Sequence, residues 1–358
     1  MISKVLPTAT YRAELDGLRA VAIGAVMLFH AYPGLVHGGW VGVDIFFVLS
    51  GYLITSLLVN ELDVSGTIRL GRFYLRRCYR LVPALALLLF VVAYVQFVVR
   101  GGSWAISGWP ILMAATYLMN WNRAFGWGSV SPVGHTWSLA IEEQFYLLWP
   151  LLLRAMPAGK RLKLSLGLLA AAFVWRVAMV SAGASADRVL NGFDTHADSL
   201  LVGCVLAQVG VHGRFSAPLA RLWPVPAVLL PMFALLLPYD SAFAATSGIL
   251  LVALSTAWLI VAAAQRGTLQ AMLSMPLLVG LGQISYGVYL WHDPLLIYFK
   301  QYLPPALAIL PAIAAIPLAI ASFRLVERPA LRWRDRRQSV GGGLPFGIFG
   351  FFARERDA

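Results

Sequence analysis

An arginine and a histidine share one face of the first apolar stretch. Arg19 is followed by ten residues and then by His30. Eleven helical steps bring His30 to within about 20° of the Arg19 face, about 16 Å farther along the helix axis. An unperturbed histidine is a natural proton acceptor for activating a hydroxyl at neutral pH. His30 is therefore a candidate catalytic residue, and a histidine that only hydrogen-bonds a neighbouring helix is the alternative.

Asp44 lies at the start of the second apolar stretch, in the run GVDIFFVLSGY. The loop before it is short, so its carboxylate could lie beside His30, orient the imidazole and favour its charged form. It could equally be an acidic charge at a helix N-terminus at the membrane interface. Both roles stay open, and Asp44 is kept as a candidate catalytic residue.

The densest polar stripe lies on the helix predicted over 135–153. Helical periodicity places His135, Ser138 and Glu142 on one face, whereas Glu143 falls about 100° away. Two adjacent acids in an apolar helix are hard to explain as solvated charges, because ionisable groups in lipid are costly. The stripe favours Glu142 as a catalytic residue that faces a polar cavity. His135, Ser138 and Glu143 are candidate substrate-binding residues, and a packing role for both acids is the alternative.

A second set of polar and aromatic residues occurs in the run SYGVYLWHDP. Ser285, Tyr289 and His292 share a helix face, which makes Tyr289 and His292 candidates for binding the substrate. Pro294 is expected to kink the helix and free a carbonyl. The alternative is an interfacial aromatic belt with Asp293 as a capping residue.

Positions 69–80 hold arginines and no lysine. They are Arg69, Arg72, Arg76, Arg77 and Arg80. Arg77 and Arg80 would share a helix face and could bind phosphate in bidentate fashion, and Arg76 is a third candidate. Charge that only sets the membrane topology is the alternative, but that role would not distinguish lysine from arginine.

The composition indicates what positions these residues. Hydrophobic residues make up 59% and charged residues 12% of the 358 residues, against roughly 45–50% and about 25% in soluble domains. We therefore predict an all-α, polytopic integral membrane helical bundle of about ten transmembrane helices. The apolar stretches long enough to cross a bilayer are approximately 18–35, 40–59, 81–99, 135–153, 164–182, 196–211, 223–238, 244–264, 276–298 and 304–325.

An eleventh stretch, 104–120, is shorter and is interrupted by Pro110. With ten spans and both termini in the cytoplasm, every basic cluster falls on the cytoplasmic side. A further crossing at 104–120 would place the basic cluster of 154–163 outside. We therefore predict that 104–120 is a re-entrant or interfacial segment.

The other sequence features exclude several functions. The net charge of +12 does not indicate a nucleic-acid binder, because the positive-inside rule explains basic residues in short loops. Cys78 and Cys204 match no disulfide, metal or redox spacing, and no metal-ligand cluster is apparent. No internal repeat supports an inverted-repeat transporter, and nothing indicates an oligomeric state.

Four motifs in this order resemble the membrane acyltransferase-3 family. They are Arg19-x10-His30 within DGLRAVAIGAVMLFH, the run GVDIFFVLSGYLI, Arg77-x-x-Arg80, and HTWSLAIEEQFYLLWP. The runs SYGVYLWHDPL and Val326-Glu327-Arg328-Pro329 add weaker support. These motifs cover positions 16–329, and their joint occurrence is specific.

The resemblance implies an O-acyltransferase of the bacterial cytoplasmic membrane. Such an enzyme moves an acyl group, usually acetyl, from cytoplasmic acyl-CoA to a hydroxyl of a glycan or lipid-linked sugar and needs no metal. His30 would be the catalytic residue and Arg19 its paired basic residue, while Arg77 and Arg80 would contact the donor. Whether His30 acts as a base or carries the acyl group stays open.

The predicted organisation is one membrane acyltransferase domain over 1–337 and a flexible cytoplasmic tail over 338–358. Some family members continue into a periplasmic SGNH hydrolase-like domain. Only about 30 residues follow the last predicted span, so we expect that a second step, if needed, comes from elsewhere.

Other functions fit part of the pattern. Intramembrane His, Glu and Arg also suit a proton-coupled transporter or a flippase for a lipid-linked sugar. An acyltransferase that acts on a small glycoside or a macrolide is a second alternative. A non-catalytic scaffold would leave the buried ionisable groups unexplained.

The arginine pair leads to a first testable prediction. Arg77→Lys and Arg80→Lys should each raise the KM for acyl-CoA several-fold, because an ammonium cannot reproduce the planar two-pronged contact of a guanidinium. Donor titrations of the purified variants measure this. An unchanged donor affinity in both variants would show that the arginines serve topology alone.

Overall fold

The protein is a bundle of helices in a computed structural model that describes residues 11–212 and 216–340. No strand occurs in these two ranges. The α-helices are α1 (Ala13–Ala31), α2 (Val41–Ser65), α3 (Leu70–Tyr94), α4 (Trp109–Ala115), α5 (Met119–Phe125), α6 (Trp137–Ala155), α7 (Ala158–Ser181), α8 (Ala186–Asn191), α9 (Phe193–His196), α10 (Asp198–Val209), α11 (Ser216–Arg221), α12 (Pro224–Leu236), α13 (Ile249–Ala263), α14 (Thr268–Leu273), α15 (Pro276–Gln283), α16 (Ser285–Phe299), α17 (Leu310–Ser322) and α18 (Arg328–Val340).

Short π-helical turns extend several of these helices: Val95–Val99 after α3, Trp104–Gly108 before α4, Ala244–Gly248 before α13, and Phe323–Glu327 between α17 and α18. Three 3₁₀ turns complete the secondary structure: Gly134–Thr136, Lys300–Tyr302 and Pro305–Leu307.

Five helical segments in the described ranges are long and apolar enough to cross a membrane: Val41–Ser65, Leu70–Val99, Ala158–Ser181, Ala244–Ala263 and Pro305–Arg334. The all-helical class and a membrane protein with several spans are confirmed, while the number of ten spans stays a prediction. The predicted tail begins inside α18, and its part over 341–358 lies outside the described residues.

Two predicted segments are broken. The stretch 104–120 forms a π-helical turn and α4, and its last two residues begin α5, with an interruption at 116–118. The re-entrant course predicted for it stays a prediction. The predicted span 276–298 is divided at Ile284 into α15 and α16. The helix continues through Pro294, where the sequence analysis had expected a kink. The interruption lies ten residues earlier, at Ile284.

The helices fall into central and peripheral groups. Within its apolar window, 72% of α2 is buried, whereas only 17% of α7 is buried. Exposed apolar side chains on α7, such as Val174 and Trp175, suit contact with lipid. α1, α2 and α10 therefore lie in the interior of the bundle, where side chains meet other helices.

Glycines bring the central helices into close contact. A Cβ on Gly51 would collide with the Leu200 carbonyl of α10, and one on Gly203 would collide with the Val48 carbonyl of α2. α1 is held in the same way, since a Cβ on Gly17 would meet the Leu273 carbonyl before α15. Small residues at helix interfaces let the backbones of two helices approach closely. In a membrane this matters because the hydrophobic effect does not drive helices together, so van der Waals packing must do so.

A buried ion pair fastens a peripheral helix to this centre. Arg176 of α7 donates to Asp198 of α10, and neither side chain is exposed. Arg176 also donates to the carbonyl oxygens of Thr195 and Thr246, at 3.3 and 2.9 Å. The sequence did not single out this pair.

The α2–α10 contact can be tested by adding one methyl group. Gly51→Ala should destabilise the protein by about 1–3 kcal/mol, because two backbones must separate to admit the methyl group. Gly167→Ala is the matched control: this glycine lies in α7 with nothing near its Cβ position, so alanine should be neutral or slightly stabilising. Thermal unfolding in detergent measures both. Equal midpoints for the two variants would mean that the helices are not this close.

Candidate active site

α1 joins two polar clusters at opposite ends of the bundle. Arg19 lies in its first half and His30 in its last turn, so the continuous helix holds them apart as the sequence predicted. We call the end that contains Arg19, Arg77 and Arg80 the arginine end. The end that contains His30, His135 and His292 is the histidine end.

His30 meets His292 at the histidine end. The Nδ1 atom of His30 lies 3.0 Å from the Val26 carbonyl and 3.3 Å from Nε2 of His292. Nδ1 of His292 lies 2.6 Å from the Tyr289 carbonyl. A carbonyl only accepts hydrogen bonds, so both Nδ1 atoms carry the proton in the neutral rings.

This arrangement leaves one nitrogen of His30 available. His30 Nε2 makes no hydrogen bond to any residue in the described ranges and keeps some accessible surface. In the neutral ring with the proton on Nδ1, Nε2 carries a lone pair. That atom can accept a proton from a hydroxyl brought next to it.

His135 and Asp293 complete the histidine end. Nδ1 of His135 lies 3.1 Å from Oδ2 of Asp293, and the His135 ring centroid is 5.5 Å from that of His292. The close pair lacks the angle of a hydrogen bond, and both ring nitrogens of His135 are buried with no hydrogen bond among the described residues. The sequence analysis considered Asp293 only as a helix cap. The contact with His135 depends on how the turn before α6 packs against α16, which the sequence does not show.

Ser138 and Tyr289 bind each other. The Tyr289 hydroxyl donates to the His135 carbonyl at 2.7 Å, and the Ser138 hydroxyl lies 2.7 Å from the Tyr289 oxygen. Tyrosine has a single hydroxyl proton, so Ser138 is the donor in the second bond. The two residues predicted to bind substrate thus hold α6 against α16, which keeps His135 beside His292.

Glu142 lies at the arginine end, about two helical turns after His135, which belongs to the turn before α6. Its Oε1 accepts a hydrogen bond from Ser50 of α2 at 2.5 Å, and its carboxylate interacts electrostatically with Arg77, Arg19 and Arg80. Glu142 is therefore placed to organise the arginines, and it forms no hydrogen bond with His30. Its predicted place on the polar stripe of α6 agrees with these contacts.

The three guanidinium groups come from two helices, α1 and α3. Arg19 on α1 pairs with Asp16 at 2.9 Å. Arg77 on α3 lies over the Tyr146 ring at 3.9 Å from the ring centre, a favourable cation–π distance. Arg80 interacts electrostatically with Arg19 and Arg77. Guanidinium groups that act on one another in this way are suited to binding an anionic ligand.

The two remaining candidates at this end are set apart. Arg76 donates through Nε to the Arg72 carbonyl at 3.3 Å. Glu143 makes no hydrogen bond or ion pair with any described residue, although it interacts electrostatically with Arg77. Its neighbour Gln144, which the sequence did not single out, donates to the Tyr117 carbonyl and to Asn120, both at 2.9 Å.

Asp44 has a different partner from the one that the sequence suggested. Its Oδ1 lies 3.0 Å from Nε2 of His196 and accepts a hydrogen bond from Ser199 at 2.5 Å. The helix that covers Asp44 is α10, so the suggested hydrogen bond with His30 is not formed. The alternation of polar residues in Asp194-Thr-His196-Ala-Asp198 was the signal that could have indicated this second dyad.

The loop before α10 is held by ion pairs as well. Partial burial by itself raises the pKa of the Asp194 carboxyl, but hydrogen bonds from Arg188 and Trp175 outweigh it and hold that pKa below its ordinary value. Asp194 is therefore ionised near neutral pH and fixes α8 against α9. This fixed loop supports His196 beside Asp44.

The described residues contain no group of three or more His, Cys, Asp or Glu side chains arranged to hold a metal ion. In the histidine cluster, the rings of His30, His135 and His292 pack against one another, and Asp293 lies beside His135.

Comparison with known sequences identifies the protein family. A model of the acyltransferase domain family matches residues 12–325. The chain belongs to this family. It is 32% identical over 345 residues to the peptidoglycan O-acetyltransferase OatA of Listeria monocytogenes, covering 89% of this chain and 56% of that protein. No solved structure matches the chain closely enough to show a relationship.

Two relatives from Staphylococcus aureus agree with this. The O-acetyltransferase OatA of strain NCTC 8325 is 31% identical over 349 residues, covering 89% of this chain and 57% of that protein. A putative O-acetyltransferase of strain MRSA252 is 30% identical over 361 residues, covering 91% of this chain and 59% of that protein. This acyltransferase-family chain spans less than two thirds of the length of these relatives.

The two adjacent acids of α6 provide a test of the arginine end. Glu142→Gln should lower the rate of acyl transfer by about tenfold or more, because it removes the charge that the three guanidinium groups share. Glu143→Gln is the matched control and should cost much less, since Glu143 interacts with Arg77 alone of the three arginines and accepts no hydrogen bond from Ser50. Initial rates of the purified variants measure the difference. The opposite ranking would show that Glu143, and not Glu142, is the acid that organises the arginines.

Proposed function

We propose that this chain is an O-acetyltransferase that moves an acetyl group from acetyl-CoA to a hydroxyl of a cell-envelope glycan. The observation that carries the proposal is α1, which connects a cluster of arginines to a histidine with an available Nε2. The names of the relatives support O-acetylation. Family membership favours an enzyme over the transporter or flippase that the sequence also allowed.

The arginine end is proposed as the donor site. CoA carries several phosphates, which suit the guanidinium groups of Arg19, Arg77 and Arg80. The pantetheine arm would extend from them along α1 toward His30, over about 16 Å of helix axis. The donor thus enters at one end, and its thioester reaches the other.

His30 is proposed as the general base at the histidine end. Nε2 takes the proton of the acceptor hydroxyl while its oxygen attacks the thioester carbonyl carbon. The carbon–sulfur bond breaks, the acetyl ester forms, and the leaving thiolate of CoA takes the proton back from His30. The hydrogen bond from Nδ1 to the Val26 carbonyl keeps Nε2 unprotonated before the reaction.

The charge distribution supports an orientation. Basic residues lie where helices reach the arginine end. They are Arg154 in the last turn of α6 and Arg328, Arg332 and Arg334 in α18. Basic loops stay in the cytoplasm by the positive-inside rule. We therefore propose a location in the bacterial cytoplasmic membrane, with the arginine end and both termini in the cytoplasm and the histidine end outside.

Sealed membrane vesicles test donor, base and orientation together. Inverted vesicles that contain the protein should consume added acetyl-CoA and acetylate a glycan acceptor, whereas right-side-out vesicles should not. His30→Ala should lower this transfer by roughly a hundredfold or more. The exposed His37 at the same end offers a matched control, because His37→Ala should retain activity. Equal losses in the two variants, or donor use from the other side, would contradict the proposal.

A further inference from the structure

A cavity of about 710 Å³ opens beside His30 at the histidine end. Its wall begins at Ala31, the residue after His30, and continues over the end of α16 and the turns that follow it. The lining is mostly apolar and comprises Ala31, Tyr32, Leu296, Ile297, Lys300, Gln301, Leu303, Pro305 and Ala308. The cavity is open on one side and not enclosed, so a ligand would bind at the surface of this end.

One charged residue lines this cavity. The ammonium of the half-buried Lys300 donates to the backbone carbonyl of His30 at 3.1 Å. No carboxylate in the described ranges lies within ion-pair distance of it. The hydrogen bond fixes the positive charge beside the turn that carries the reactive imidazole.

Three arginines outside this cavity are paired with acids, and Arg100 lies over the Tyr298 ring. Arg123 lies 3.6 Å from Asp187, Arg188 lies 2.6 Å from Asp194, and Arg176 is paired with Asp198. Lys300 differs from these arginines because it faces an apolar cavity without an acid. A half-buried ammonium in apolar surroundings is costly unless an anion pairs with it.

The other polar side chains of the wall are already engaged. The Tyr32 hydroxyl donates to the Ala306 carbonyl at 2.9 Å, and the Gln301 amide donates to the Tyr298 carbonyl at 3.4 Å. Lys300 therefore remains as the group of this cavity that can select a ligand by charge.

We propose that this cavity binds the acceptor glycan and that Lys300 recognises an anionic group on it, a carboxylate or a phosphate. The proposal rests on the proposed acetyl transfer, and it adds the chemical class of the acceptor. The anion would pair with the Lys300 ammonium while the sugar lies against the apolar wall. A hydroxyl on the same sugar or its neighbour then reaches His30 Nε2.

The test compares matched acceptors in the purified full-length chain. They are a neutral oligosaccharide, the same oligosaccharide with a carboxylate, and the same with a phosphate monoester. The wild-type protein should acetylate one or both anionic acceptors at a lower KM than the neutral one. Comparing the two anions distinguishes a sugar acid from a sugar phosphate as the natural group.

Substitution of Lys300 identifies its role. Lys300→Gln should raise the KM for the anionic acceptor roughly tenfold, the effect of losing one charge-assisted contact, with little effect on the neutral acceptor. Lys300→Arg should restore most of the affinity. Arg100→Gln is the matched control, since Arg100 lies over the Tyr298 ring and does not line the cavity.

Three results would overturn the inference. Equal KM values of the wild-type protein for neutral and anionic acceptors would refute it and leave the proposed acetyl transfer intact. A drop in kcat for every acceptor in Lys300→Gln would show that Lys300 only supports the end of α1. A wild-type protein that uses acetyl-CoA with none of the acceptors, and does not hydrolyse it, would reject both proposals.

If Lys300→Gln does not fold, a binding measurement on the wild-type protein still decides. The anionic oligosaccharide should raise its thermal unfolding midpoint more than the neutral one, because a ligand that binds only the folded state stabilises it. Equal shifts would overturn the inference.

Discussion

Ionisable side chains on apolar helices are costly unless a partner inside the bundle compensates their charge. The pair of Arg176 with Asp198 meets this requirement without exposure of either side chain. The dyad of Asp44 and His196 compensates a second buried charge in the same way. These pairs attach α2 to α9 and α7 to α10, so compensation of charge and assembly of the bundle are the same event.

The same constraint explains why ionisable groups from several helices meet at the two ends of α1. Arg77 and Arg80 share the arginine end with Arg19, and the acids Asp16 and Glu142 lie among them. At the histidine end, His30 keeps a nitrogen without a partner. Groups left incompletely paired in a membrane protein are expected where a ligand completes them. The helix that joins the ends therefore also joins two binding sites.

Close packing of backbones makes this separation rigid. Gly17 and Gly282 let α1 lie directly against α14 and α15, and Gly42 lets α2 approach α1. A helix held on several sides cannot slide by one turn without collisions between backbones. The distance between the donor cluster and the reactive nitrogen is thus determined by helix geometry, about 1.5 Å for each residue, and not by a flexible loop.

The sequence by itself determined the helical class, the common face of Arg19 and His30, and the stripe that carries His135, Ser138 and Glu142. Those features follow from local periodicity, which is a property of one helix. Only the tertiary structure decided which helices face each other. It paired Asp44 with His196, brought His292 to His30, and turned Ser138 toward Tyr289. Such choices depend on the crossing of helices far apart in the chain, where glycines and buried charges select the neighbour, and no spacing within one segment encodes that crossing.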